Sequence, residues 1–307
     1  MGTIVRVGVT GSSGFIGSAV VAALHERGDD VISFVRPSGH STAETTVRWD
    51  PSRQLVDDGD LRRVGGFDAV VHLAGAGIAD KRWTPARKQE ILLSRTGSTS
   101  LLVSALESMS SGTAVLASGS AIGYYGPSGD EVLDESSVRG ADFLSDVCVG
   151  WENAALALNE RGSIVTLLRT GIVMSQHGGA LKRQLPLFRL GLGGQLSTGQ
   201  QWLSPISLRD EVRAILWVID HKIAGPVNLV SPEPLRNSEF TKALAHGLHR
   251  PAFARVPAIA LQLVLGGELA SSAVLASQRV LPKVLADTGF SFDNPTPDSI
   301  ISSSIRS

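Results

Sequence analysis

Residues 4–17, Ile4-Val5-Arg6-Val7-Gly8-Val9-Thr10-Gly11-Ser12-Ser13-Gly14-Phe15-Ile16-Gly17, read as a strand that runs into a glycine turn and then a helix. The apolar run Ile4, Val5, Val7 and Val9 stops at Gly11, and glycines recur at 11, 14 and 17. Beyond them Ala19, Val20, Val21, Ala22, Ala23 and Leu24 continue as an apolar helical stretch closed by Gly28. In such a unit the first glycine permits a sharp turn off the strand and the second leaves room for a pyrophosphate against the backbone. The third lets the helix close on the sheet. Ser12, Ser13, Phe15 and Ile16 complete the turn and the helix start, where backbone amides and the helix dipole favour negative charge. The spacing is Gly-x-x-Gly-x-x-Gly, which differs from the Gly-x-Gly-x-x-Gly fingerprint.

Downstream, Val31–Val35 reads as a second strand, broken after Arg36 by Pro37-Ser38-Gly39. Residues 37–66 are polar and read as an irregular crossover anchored by Trp49. Ala69-Val70-Val71-His72-Leu73-Ala74-Gly75 reads as a buried strand entering a turn, and 84–110 as a long helix. Further strands are expected at 114–118 and 164–169, with a helix over 143–160 between them. Strands separated by helices predict an α/β fold with a parallel sheet and right-handed crossovers. After residue 174 glycines and prolines multiply, so residues 1–174 read as a nucleotide-binding domain and 175–307 as a smaller lobe. The segment near 226–230 would return to the sheet, and 237–249 and 258–276 read as helices.

A net charge of −1 gives no case for nucleic acid or an anionic membrane surface. The single cysteine, Cys148, rules out an intrachain disulfide and fits a reducing compartment. With no apolar run long enough to span a bilayer and no signal-peptide core, the expectation is a cytoplasmic protein. The seven histidines are scattered without partnering carboxylates or cysteines, so no metal site is expected, and His72 reads as a core histidine.

The residue at the end of strand 2 discriminates between dinucleotides, because an acidic side chain there bonds a ribose 2′-hydroxyl and a basic one accepts a 2′-phosphate. Here it is Arg36, preceded by Val35, while Asp29 and Asp30 stand at the strand's other end. A guanidinium fork on phosphate contributes ~1.5–3 kcal/mol, roughly a tenfold to hundredfold preference for NADP(H).

The glycine turn, Arg36, His72-Leu73-Ala74-Gly75 and Ser118-Gly119-Ser120-Ala121 resemble the extended short-chain dehydrogenase/reductase superfamily, and within it the atypical branch of epimerase-family proteins. Trp151-Glu152, Arg169-Thr170-Gly171 and Gly191-Leu192-Gly193-Gly194 extend the resemblance along nearly the whole chain. It implies a Rossmann-type doubly wound parallel sheet with a smaller interleaved substrate lobe, and a homodimer. It also implies an NADP(H) site in which Gly11 through Gly17 hold the pyrophosphate, Val35 and Arg36 the phosphorylated ribose, and Leu73, Ala74 and Gly75 the adenosine side. Glu90 and Arg95 would approach the cofactor, and Val173 would lie by the nicotinamide.

The sequence departs from that family at its catalytic pair. No Tyr-x-x-x-Lys occurs; the two tyrosines, Tyr124 and Tyr125, are followed four residues later by Ser128 and Gly129. Counting back from Trp151-Glu152 places Leu144 and Cys148 in the tyrosine and lysine slots. The remaining catalytic candidates are Ser120, to polarise a substrate oxygen, and Tyr124 or Tyr125, tuned by Arg95 or Lys81. Two readings follow: an NADP(H)-dependent oxidoreductase or epimerase-like enzyme acting on a small polar substrate, or a non-catalytic NADP(H)-binding sensor or structural protein.

Overall fold

The computed structural model describes residues 5–37, 45–109 and 113–306. Ile4, Ser38-Gly39 and Ser110, which figure in the strand, turn and helix expectations above, lie outside the described residues. The first half runs β1 (Arg6–Thr10), α1 (Phe15–Arg27), β2 (Asp30–Val35), β3 (Thr46–Asp50), β4 (Leu55–Val56), α2 (Asp58–Val64) and β5 (Phe67–His72). It continues through α3 (Pro85–Glu107), β6 (Thr113–Ala121), β7 (Val132–Leu133), α4 (Phe143–Leu156), β8 (Ile164–Thr170) and β9 (Ile172–Met174). Then come α5 (Gly179–Arg189), β10 (Gly194–Leu196), β11 (Trp202–Leu203), β12 (Pro205–Ser207), α6 (Leu208–Asp220), β13 (Gly225–Leu229), α7 (Asn237–Gly247) and α8 (Ala258–Leu265).

Eight strands form one sheet in the order β13-β8-β6-β5-β1-β2-β3-β4, parallel throughout except for the β3–β4 pair at its edge. This is the doubly wound α/β architecture. Alternation along the strands sorts the core into two layers. Val7, Val9, Ala69, Val71, Val115 and Ala117 face α1 and α6, whereas Val70, Leu116, Val165 and Leu167 face α3 and the end of α4. On the second face Gly8 leaves room for the Phe34 and Phe67 rings, which approach the place a side chain there would take. Side-chain caps fix where helices begin: Asp57, Thr84, Asp142 and Ser207 each accept a backbone N–H from the first turn of the helix that follows.

The chain order reverses between β1 and β5, since β1, β2 and β3 proceed one way and β5, β6 and β8 the other. The carboxyl ends of β1 and β5 therefore open a crevice, the place where doubly wound sheets hold ligands. Although α6 and β13 come late in the sequence, α6 packs on the sheet and β13 extends it beside β8. A separate apolar cluster joins Leu181, Leu185 and Phe188 of α5 to Phe240 and Leu244 of α7 and to Ile300 and Ile301 of the C-terminal helix Pro297–Arg306.

Three local expectations change. The polar stretch 37–66 contains β3 and α2, because Val47 and Trp49 alternate with outward residues and bury on the sheet, while Leu61 and Val64 cover them. The helix expected over 143–160 ends at Leu156 and tightens into a 3₁₀ turn. The helix expected over 258–276 breaks at Gly266 and resumes as a short turn and a π-helical stretch.

The helix–sheet approach at the opening turn has no slack. Gly11 has φ +67°, and a Cβ on Gly17 would stand 2.1 Å from the Gly11 carbonyl oxygen. Gly17→Ala must push α1 off β1, and we expect a loss of ~1–3 kcal/mol in urea denaturation relative to wild type.

Candidate active site

Two cavities meet at the crevice. The first, of about 1360 Å³, runs from Gly11–Gly14 past Val35 and Arg36 to Trp49, and is closed by Leu73, Ala74, Gly75 and Glu90. The second, of about 600 Å³, runs from Phe15–Gly17 past Arg95 and Ser120 to Val173. Gly11, Gly14, Leu73 and Gly75 line both. All fifteen residues singled out for a dinucleotide thus line one or the other of these adjoining cavities.

Its chemistry suits a dinucleotide. No side chain caps α1, and no acidic residue stands in its first turn, so its amide end is left for an anion. A Cβ on Gly14 would meet only the Gly11 carbonyl oxygen, at 3.1 Å, and would otherwise take up space in the cleft. Arg36 is exposed on the first cavity, at the end of β2. Asp29 and Asp30 sit at the opposite end, paired with Arg27 at 2.5 Å and Arg6 at 2.6 Å. Glu90 is exposed and pairs with Arg87 at 2.7 Å, and that hydrogen bond lowers its carboxyl below the usual value.

Thr10 and His72 hold the floor. The Thr10 hydroxyl accepts the backbone N–H groups of Leu73 and Ala74 and lies 2.7 Å from His72 Nδ1, while Nε2 meets Thr99 Oγ1 at 2.9 Å. Burial lowers His72 to about 3, so the ring is neutral and structural.

At the other end Ser120 lies within β6, inside the strand rather than beyond it, because β6 runs on to Ala121. Its Oγ donates to Glu152 Oε1 at 2.6 Å. Glu152 is held by Arg169 through two parallel bonds of 2.9 Å, and both side chains are almost fully buried. Arg169 Nη1 donates to the Tyr125 hydroxyl at 3.0 Å, which in turn donates to Asn228 Oδ1 at 2.7 Å. Burial alone would lower the Arg169 guanidinium, but its bond to Glu152 and the charges beside it carry it above the ordinary arginine value.

Neither tyrosine is brought to the cavity. Burial pushes the Tyr125 hydroxyl up to about 12, and the Tyr124 ring stacks on Arg169 at 3.5 Å. Arg95 does not tune them; it donates to the carbonyls of Ala76 and Ile91 and lies over Trp151. Leu144 and Cys148 do line the cavity. Cys148 Sγ points to the Ala121 carbonyl at 3.7 Å, and burial, reinforced by the Glu152 charge, raises the thiol to about 12. Trp151 and Trp202 line the cavity, while Trp83 donates to the Ile78 carbonyl and packs on Phe143.

The Glu152–Arg169 pair was not read from the sequence as a pair, although both residues stand in stretches that drew attention. Glu211 was missed altogether. It is fully buried on α6, with Oε1 accepting from Thr170 Oγ1 at 2.8 Å and Oε2 without a partner among the described residues. Among the described residues no cluster of side chains suited to a metal ion occurs, and no helix is long and apolar enough to cross a membrane.

Burial outweighs the Thr170 bond and lifts Glu211 from 4.5 to about 8. Between those values the folded chain keeps a proton that the unfolded chain releases, so this group costs stability as pH rises through the window, by up to ~1.4 kcal/mol per unit. Calorimetry should find Glu211→Gln melting above wild type at pH 8 and level with it near pH 4.

Comparison with known proteins bears on this cleft. The model of the NAD dependent epimerase/dehydratase family matches residues 7–230, and that of a domain of unknown function, DUF1731, matches residues 256–303. The chain is 41% identical over 291 residues to an epimerase family protein of Mycobacterium bovis, with 94% of each covered. It is 35% identical over 290 residues to one of Staphylococcus aureus, covering 92% of this chain and 93% of the other. The crystal structure of human epimerase family protein SDR39U1 (isoform 2) with NADPH superposes with a TM-score of 0.87 at 29% identity, covering 97% of this chain and 98% of that one. UDP-glucose 4-epimerase of Thermus thermophilus in complex with NAD shares the fold, with a TM-score of 0.74 at 18% identity over 98% of this chain and 97% of that one.

Proposed function

This chain belongs to the NAD dependent epimerase/dehydratase family, and from that premise we propose that it is a cytoplasmic NADP(H)-dependent oxidoreductase with an atypical proton path. One observation carries the reading. The two cavities join across the glycine turn, so a single dinucleotide can lie with its adenosine end at Arg36 and its other end beside Ser120. Arg36, with no carboxylate beside it in residues 31–37, favours the 2′-phosphate, and the NADPH held by the human relative supports that choice.

NADP(H), when bound, supplies or accepts the hydride. The chain's own residues manage the oxygen. The Ser120 proton is committed to Glu152, so the remaining lone pairs of Oγ accept a hydrogen bond from a substrate hydroxyl. As that alcohol is oxidised, its proton passes to Ser120 while the Ser120 proton passes to Glu152; in reduction the two transfers reverse. Arg169 holds the Glu152 carboxylate in place, and Tyr125 and Asn228 hold Arg169. Glu152 acts through Ser120 and does not touch substrate.

A second reading is favoured by a specific observation: the slots where the family places its tyrosine and lysine hold Leu144 and Cys148, a hydrocarbon and a neutral thiol. In that reading the chain binds NADP(H) without turning it over.

Two measurements test these statements. In fluorescence titrations Arg36→Ala should weaken NADPH binding roughly tenfold to hundredfold and leave NADH unchanged; equal effects on both cofactors would remove Arg36 as the discriminator. Incubation with 4-deuterated NADPH and a panel of ketones, aldehydes and nucleotide sugars should transfer label, and Ser120→Ala should slow that transfer by about a hundredfold or more. Tight NADPH binding without transfer to any acceptor would establish the second reading instead.

A further inference from the structure

We infer that the cavity at the Ser120 end accepts a neutral, largely apolar alcohol or ketone rather than a sugar nucleotide. The inference rests on reading that cavity as the substrate end of the cofactor cleft, and it names the substrate class which that reading leaves open.

Beyond the glycine turn the walls are mainly apolar: Ile78, Ile122, Leu144, Val147, Ala273 and the ring of Trp151, whose buried Nε1–H has no partner among the described residues. Several of the polar side chains among them are already engaged. Gln278 gives its amide hydrogens to the carbonyls of Ile122 and Gly126, and Ser204 donates to the Gln278 carbonyl. Trp202 gives its indole N–H to Asp130, outside the cavity. What remains for a ligand is a few scattered polar groups, the acceptor face of Ser120 and the Ser272 hydroxyl among them, in a mainly apolar surround.

A sugar nucleotide makes two demands that these walls do not meet. Its diphosphate carries charge that must be compensated when water is removed. Arg95 is the one cation among the described residues lining this cavity, and its Nη1 is bonded to Ala76 and Ile91 while the guanidinium lies 5.1 Å from the centre of the Trp151 ring. Arg236 and Arg279 stack on Trp202 at 4.2 and 4.5 Å, but neither lines the cavity, and Arg236 pairs with Asp130 at 2.8 Å. The sugar's second demand is a partner for each buried hydroxyl, and an unmatched hydroxyl is disfavoured. An alkyl chain makes neither demand and gains with every methylene it buries.

The test titrates protein saturated with NADP⁺ with straight-chain 2-ketones of increasing length, from 2-butanone to 2-nonanone, and with UDP-glucose, reading binding by calorimetry or ligand-observed NMR. The Kd should fall by about fourfold per added methylene until the cavity is filled. UDP-glucose should not displace 2-nonanone. Leu144→Gln and Ala273→Asp should each weaken 2-nonanone by about tenfold or more, with circular dichroism spectra and melting profiles confirming that the variants are folded. An affinity indifferent to chain length, no ketone binding at all, or displacement by UDP-glucose would each overturn the inference. Because binding is read without turnover, its failure is separable from that of the proposed function. Chain-length dependence without any deuteride transfer would remove the enzyme and leave the apolar site, whereas transfer to a sugar nucleotide would do the reverse.

Discussion

Glu152 and Arg169 meet inside the protein, on α4 and β8, through a bidentate pair whose side chains are almost fully buried. A buried ion pair is seldom a net source of stability, since the desolvation of two charges offsets most of their attraction. Its use lies in direction. The guanidinium plane admits one geometry for the carboxylate, and the remaining lone pairs and protons must be met by neighbours of the right kind. Here Ser120 satisfies one side and Tyr125 the other, and Asn228 completes the chain from β13. One interaction thereby ties three strands of the sheet, the buried Tyr125 and the helix lining the cavity into a single arrangement. Loss of either charged partner would strand the other in a dry interior, which is why the pair constrains everything around it.

The portion of this molecule legible in its sequence is the portion governed by local rules. Gly11, Gly14 and Gly17 mark the turn because backbone geometry and close approach admit little else there, and the turn fixes where the cleft opens. Alternation in Val7, Val9, Ala69 and Val71 gives the sheet and its faces. The overlooked β3 carried the same signal, with Val47 and Trp49 two apart, but its polar neighbours Arg48 and Asp50 masked it. Ser120 was identifiable by its place after a buried run, although the strand extends beyond it.

The illegible portion depends on contacts between distant residues. Tyr125 and Asn228 are 103 positions apart, and Glu152 and Arg169 sit on different elements. No spacing rule relates such pairs; only the crossover that sets β8 between β6 and β13 brings them together. The tyrosines illustrate the consequence. Chemical type alone makes each an acid candidate, yet the fold turns Tyr125 inward, where burial and its partners make it a structural hydroxyl. Glu211 carries even less signal, because a glutamate near the start of an amphipathic helix ordinarily faces water, and only packing reveals that this one does not.

Where the count back from Trp151-Glu152 would place a tyrosine–lysine pair the cavity presents Leu144 and Cys148, and this bears on its electrostatics as well as on its inventory of acids. A lysine beside the reacting oxygen would stabilise negative charge there and favour a phenolate nearby. Leu144 and the neutral thiol of Cys148 supply no such charge there, which raises the cost of an anion formed beside them. In the proposed reaction a proton then moves in step with the hydride, so that little charge accumulates on the substrate oxygen. The Ser120–Glu152 hydrogen bond suits that requirement, because its short O–H···O⁻ contact keeps the receiving carboxylate in reach without exposing it to the cavity. Apolar walls, a concealed carboxylate and few polar contacts are thus parts of one solution under the proposed reaction: each would be a liability with the others absent, and together they suit the transfer of a proton without an exposed carboxylate.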